Sequence, residues 1–148
     1  MRTAPFCLTL FTNDPVLAQA ADVAGVERIG PDLEIIGKRE RQGHLDTRIS
    51  GHSLDDVARV ARVLKQAELF VRTNPLHPGS RAEIDALIAL GVKVLMLPMF
   101  RSAAEVAAFI ALVDGRARVV PLVETAAAAL RLGEIVALDG VEIGRAHV

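Results

Sequence analysis

One unit recurs along this chain: an apolar strand, a polar residue at the strand's end, a capped helix, then a glycine. It returns about every 25 residues, and its strands are apolar throughout instead of alternating, which is the signature of parallel strands buried on both faces and joined by helices. The clearest strands are Phe6-Cys7-Leu8-Thr9-Leu10-Phe11, the run from Val26 to Ile29 that carries on toward Asp32-Leu33-Glu34, Leu69-Phe70-Val71, Val92 to Leu97, and Val119 to Val123. Asp14-Pro15 opens the first helix, with a capping side chain followed by proline at the first helical position. That helix runs over Val16, Leu17, Ala20 and Val23 and is closed by Gly25. Ser53 precedes a helix whose apolar residues are Leu54, Val57, Val60, Ala61 and Leu64. Ser80-Arg81-Ala82-Glu83 and Ser102-Ala103-Ala104-Glu105 read as capping boxes opening two more helices, stopped by Gly91 and Gly115. A last helix is expected through Leu130 and Ile135, and Gly140-Val141 leads toward another strand.

Two architectures satisfy such a pattern, an open doubly wound sheet and a (β/α) barrel. No Gly-x-Gly-x-x-Gly follows a strand and no phosphate-binding P-loop is present. Polar residues stand at several successive strand ends instead: Asp32 and Glu34, Arg72 and Asn74, and Glu124. Functional groups spread over many strand ends favour the barrel. About five and a half of the eight units of a (β/α)8 barrel are visible, so the expected fold is α/β, a partial TIM barrel.

The chain has 148 residues, enough for one domain with a real core. At 51% hydrophobic and 24% charged, with a formal net charge of -1, it offers no basic excess for nucleic acid and no polybasic membrane anchor. Its apolar runs are too short to span a bilayer and its start lacks a signal-peptide core, so a cytoplasmic location is expected. The single cysteine, Cys7, excludes an internal disulfide framework and a multi-cysteine zinc site, and is expected to pack inside the first strand.

Glu124 is the most informative candidate. A carboxylate at the end of a buried strand must meet a cation, a metal or a substrate, or reach water; the alternative role is to cap the helix that begins at Thr125-Ala126. Arg72 could clamp a carboxylate through its planar fork, or pair with a neighbouring acid such as Glu124 or Asp32. Asp32 and Glu34 point the same way, as alternate strand residues do. They could hold a metal-bound water or orient Arg72, or be solvated loop acids. His52 reads as a surface residue beside the helix start at Ser53, with a general-base role as the alternative; His44 and the cluster Lys38, Arg39 and Arg41 read as solvated residues of a polar connection from Ile36 to Gly51, and His77 reads as a turn residue between Pro75 and Pro78.

Taken together, Asp32-Leu33-Glu34, Val71-Arg72-Thr73-Asn74-Pro75, Leu95-Met96-Leu97-Pro98-Met99 and Leu122-Val123-Glu124-Thr125-Ala126 resemble the successive strand ends of the HpcH/HpaI aldolase and citrate lyase β-subunit family, the metal-dependent 2-oxo-acid aldolases. The resemblance covers nearly the whole chain to Glu142. It implies a (β/α) barrel that binds Mg2+ or Mn2+, with Glu124 as a metal ligand, Arg72 holding the substrate carboxylate, and Asp32 and Glu34 beside it. The implied reaction is cleavage of the carbon–carbon bond next to a 2-oxo acid, releasing pyruvate or a similar oxo acid through an enolate that the metal and Arg72 stabilise. An acyl-CoA thioester is the alternative substrate, as in the citrate lyase branch. No nucleic-acid or membrane partner is implied, and a homo-oligomer is expected at full length.

Two departures stand out. Ile35 occupies the place where the aldolase branch carries a histidine, and the aspartate that supplies the family's second metal ligand is not reached. The end, Ile143-Gly144-Arg145-Ala146-His147-Val148, is similar to a translated sequencing-library adapter. Residues 1–142 are therefore expected to be the N-terminal part of the barrel and 143–148 a non-native tail. A fragment of this kind could be inactive, and an open parallel sheet would expose an apolar edge.

Overall fold

The computed structural model describes residues 6–37 and 53–142. Five parallel strands form one sheet in the sequential order β1 to β5: β1 (Thr9–Phe11), β2 (Arg28–Gly30), β3 (Glu68–Arg72), β4 (Val94–Leu97) and β5 (Arg118–Pro121). The helices between and after them are α1 (Pro15–Val23), α2 (Leu54–Ala61), α3 (Ser80–Ala89), α4 (Ala103–Val113), α5 (Ala126–Leu130) and α6 (Leu132–Val136). Each strand pairs with the next in sequence, without the reversal of order that defines a doubly wound sheet. Beyond β5, Val141 bridges Val119 in parallel, where the sequence predicts a further strand to begin.

The two faces of the sheet differ, because successive side chains alternate across it. Ile29, Leu69, Val71, Leu95, Leu97 and Val119 join Val57, Val60, Ile84, Leu87, Val106 and Phe109 of the helices in one core. The opposite face carries a small apolar layer of Phe70, Val94 and Val120 with Met96 against it, and the Phe11 ring lies 5.2 Å from that of Phe70. Two residues before Phe70 and Val120 on the same face, at the start of the strands, stand Glu68 and Arg118; with Arg28, in register with Glu68, and Glu142, just after Val141, they form a group of alternating charge. Arg28 pairs with Glu142 and Arg118 with Glu68, and the cross distances are 3.7 Å (Arg28–Glu68) and 3.9 Å (Arg118–Glu142). Two residues after Gly30 and Phe70 come Asp32 and Arg72, which bridge each other, so the strand ends beyond the apolar layer form a second polar tier.

Several local expectations are corrected. The apolar residues Val16, Leu17 and Val23 of α1 are exposed, and α1 instead buries Ala18, Ala21 and Asp22. Small side chains let α1 approach the sheet closely, and the Asp22 carboxylate accepts hydrogen bonds from the backbone N–H groups of Lys65, Gln66 and Ala67. Cys7 is exposed, not packed inside a strand, because β1 begins two residues later, at Thr9. The first expected capping box does not form. Gly79 precedes α3 and Ser80 lies inside its first turn, where its Oγ accepts the His77 N–H. At α4 only half a box forms: Ser102 caps Glu105, whose carboxylate turns to the Arg101 N–H. The expected last helix is split into α5 and α6, because Arg131 leaves helical geometry at φ -109°, ψ 19°. Asp14 and Pro15 behave as predicted, with Asp14 accepting the Val16 N–H.

Candidate functional site

Asp32, Arg72 and Glu124 all lie at the C-terminal ends of strands, on the same rim of the sheet. Asp32 follows β2 by two residues and bridges Arg72, the last residue of β3, while the Leu33 N–H donates to the Arg72 carbonyl at 2.9 Å. The chain after β2 thus keeps running alongside β3. Gly30 makes this possible. A Cβ placed there would lie 1.6 Å from the Phe70 carbonyl oxygen, so only glycine lets the two backbones approach this closely.

The geometry around Arg72 is specific. Its Nε donates to Asp32 Oδ1 at 2.9 Å and its Nη2 to Asp32 Oδ2 at 2.6 Å, a bidentate pair. Glu34 Oε2 lies 3.5 Å from the same Nε. Asp32 also accepts the Glu34 N–H at 3.0 Å, which closes the short turn between the two acids. Asp32 and Glu34 are 6% and 3% exposed, so they are not solvated loop acids. The face of the Phe11 ring lies 5.3 Å from the guanidinium carbon. The hydrogen bond that Arg72 donates to Asp32 holds the guanidinium above its ordinary pKa; burial opposes this, and the charges of Asp32, Glu34 and Glu124 add to the rise. Nη1 makes no hydrogen bond among the described residues.

Glu124 is exposed, three residues beyond β5. Its Oε1 accepts the Met99 N–H at 3.0 Å. Met99 itself adopts a left-handed conformation, φ 56°, unusual for a side chain of this size and located two residues after β4. The helix cap that Glu124 could have supplied comes from Thr125, whose hydroxyl accepts the Ala128 N–H.

By sequence Asn74 is a polar strand end, Glu83 belongs to a capping box and His77 is a turn residue. The structure joins the three. Asn74 Oδ1 accepts from the N–H groups of both Ile35 and Ile36, Glu83 Oε1 accepts from Asn74, and Glu83 Oε2 meets His77 Nε2 at 3.0 Å. His77 does shape the turn, accepting the Gly79 N–H on Nδ1. The signal available in the sequence was Asn74 followed by proline, which removes the asparagine from regular pairing and leaves its side chain to bond backbone nearby. Lys38, Arg39, Arg41, His44, His52 and the tail 143–148 lie outside the described residues.

The donor set can be judged for a divalent metal. Among the described residues no three His, Cys, Asp or Glu side chains are grouped as metal ligands. Glu124 supplies a carboxylate of the hard-oxygen type that magnesium and manganese prefer, and magnesium is commonly held by one or two carboxylates plus water. The residues present are compatible with such an ion.

The fold and this rim define a class: sequential parallel α/β proteins whose polar groups gather at the C-terminal strand ends. Within it, the chain is similar to the structure of an HpcH/HpaI aldolase from Desulfitobacterium hafniense DCB-2, with a TM-score of 0.66, 16% identity, and coverage of 93% of this chain and 60% of that one. It is similar to the citrate synthase SbnG to the same degree, with a TM-score of 0.66, 14% identity, and coverage of 93% and 59%. The likeness at these identities is one of fold, and the chain spans about three fifths of each relative's length. No family model matches the sequence and no curated protein does. No helix among the described residues is long and apolar enough to cross a membrane.

Proposed function

We propose that this chain carries the carboxylate-binding part of a metal-dependent carbon–carbon lyase, an aldolase acting on a 2-oxo acid, on the N-terminal portion of a (β/α) barrel. The observation that supports it is Arg72, pinned by Asp32 with Glu34 beside it, at the strand-end rim where such folds place their sites. The sequential strand order, with the helices among the described residues packed on one face, favours the barrel over the doubly wound sheet.

In this reading Arg72 binds the substrate carboxylate through Nη1, because Nε and Nη2 are engaged by Asp32. Asp32 and the Phe11 ring fix the guanidinium plane, so the cation need not reorganise as charge develops on the substrate when the bond breaks. Glu124 would hold the magnesium or manganese ion, which when bound supplies Lewis-acid polarisation of the keto oxygen. The lysine route needs an amine at the same rim. Among the described residues Lys65 precedes β3 and Lys93 precedes β4, both at the opposite end of the strands.

The test is pyruvate release from a 4-hydroxy-2-oxo acid with magnesium present. Release that stops with chelator and in Arg72→Ala is the expected result. Release that persists under both treatments overturns the proposal.

A further inference from the structure

Asn74 and Glu83 sit outside the Arg72 cluster, yet their hydrogen bonds lead to it. Glu83, in the first turn of α3, accepts from the Asn74 backbone N–H at 3.0 Å and from Asn74 Nδ2 at 3.2 Å, both on Oε1. That fixes which way the Asn74 amide faces. Its Oδ1 is turned to the N–H groups of Ile35 at 2.9 Å and Ile36 at 3.0 Å. A flipped amide would set oxygen against carboxylate and N–H against N–H, losing every one of these side-chain bonds. The other carboxylate oxygen of Glu83 is held by His77 Nε2, whose tautomer is set by the Gly79 N–H on Nδ1. Helix α3 is thus linked through two side chains to the backbone immediately after Glu34.

We propose that Glu83 is a positioning residue. Acting through Asn74, it holds the segment 32–36 so that Asp32 and Glu34 stay against Arg72. Its meaning for function rests on the reading of Arg72 as the substrate-binding group. A carboxylate is needed because both oxygens must accept. In Glu83→Gln one end of the side chain becomes a donor, and it would meet either the Asn74 donors or the His77 Nε2–H.

The test is backbone amide hydrogen exchange on the ligand-free protein, comparing wild type with Glu83→Gln, Glu83→Ala and Asn74→Ala. The Ile35 and Ile36 amides should exchange about tenfold faster in both Glu83 variants, which touch neither amide, as expected when a hydrogen bond to a charged group is lost upstream. The Leu95 and Phe109 amides should keep their wild-type protection, and the Arg72 Nε–H resonance should shift with the Ile35 and Ile36 signals. If Glu83→Ala also loses protection at Leu95, the isosteric Glu83→Gln decides. Unchanged exchange at Ile35 and Ile36 in Glu83→Gln, with Asn74→Ala alone raising it, overturns the proposal. Exchange is read without substrate. A missing aldolase activity therefore leaves this result standing, and a negative result here leaves the aldolase reading standing.

Discussion

Arg72 and Asp32, 40 positions apart, face each other through two hydrogen bonds of 2.9 and 2.6 Å. The pair is half-enclosed, with side-chain exposures of 19% and 9%. It uses the guanidinium edge that a bidentate ligand would otherwise take. An anion arriving at Arg72 therefore meets a cation whose plane is already set.

Arg72→Lys should not behave as a conservative change. A lysine cannot form the two-point contact, and Asp32 and Glu34 would remain buried without the guanidinium between them. Removing one partner of a buried pair costs about 3 kcal/mol. Urea denaturation should show that loss for Arg72→Ala and a smaller one for Arg72→Lys, with weakened pyruvate binding in both.

Glu124→Gln should separate stability from metal binding. The side chain is exposed, so the unfolding midpoint should move little. Manganese binding, followed by electron paramagnetic resonance, should weaken about tenfold or more if this carboxylate is a ligand. Wild-type affinity in the variant would remove Glu124 from the metal.

Gly30→Ala should be among the most damaging single-methyl additions in the molecule. The new Cβ would have to displace the Phe70 carbonyl, which is backbone and cannot swing aside. A loss of about 3 kcal/mol is expected for such overpacking. The Asp32–Arg72 contact should loosen with it, seen as a shift of the Arg72 Nε–H resonance.

Asp22 should contribute stability that acid removes. Burial pushes its pKa up, but the N–H groups of Ala67, Lys65 and Gln66 outweigh burial and hold it below the ordinary aspartate value. For a depressed carboxylate the stabilisation is full above the unfolded-state pKa and fades as pH falls through the folded-state value. Asp22→Asn should cost about 2 kcal/mol at neutral pH. The gap between the two proteins should close as the solution is acidified below the usual aspartate range, as followed by urea midpoints across pH.

Much of the fold was legible because strand and helix signals are local. The apolar runs, the Asp14-Pro15 helix start and the Ser102 cap depend on residues within a few positions of one another, and they appear where expected. Arg72, Asp32 and Glu124 were legible as polar strand ends for the same reason. Periodicity failed at α1, where apolar residues were assigned to the core and alanines and an aspartate took it. A small side chain carries no strong signal, and the partners of Asp22 lie more than 40 residues away.

The sequence by itself determined the order of the elements, the parallel sense of the sheet and the acids and arginine that end its strands. Only the tertiary structure decided that Arg72 would spend its bidentate edge on Asp32, that Glu83 would leave its expected cap for Asn74, and that Arg28 would close an ion pair with Glu142, 114 positions on. Secondary structure follows from neighbours along the chain, whereas the pairing of charges follows from which strands lie side by side and on which face each side chain emerges.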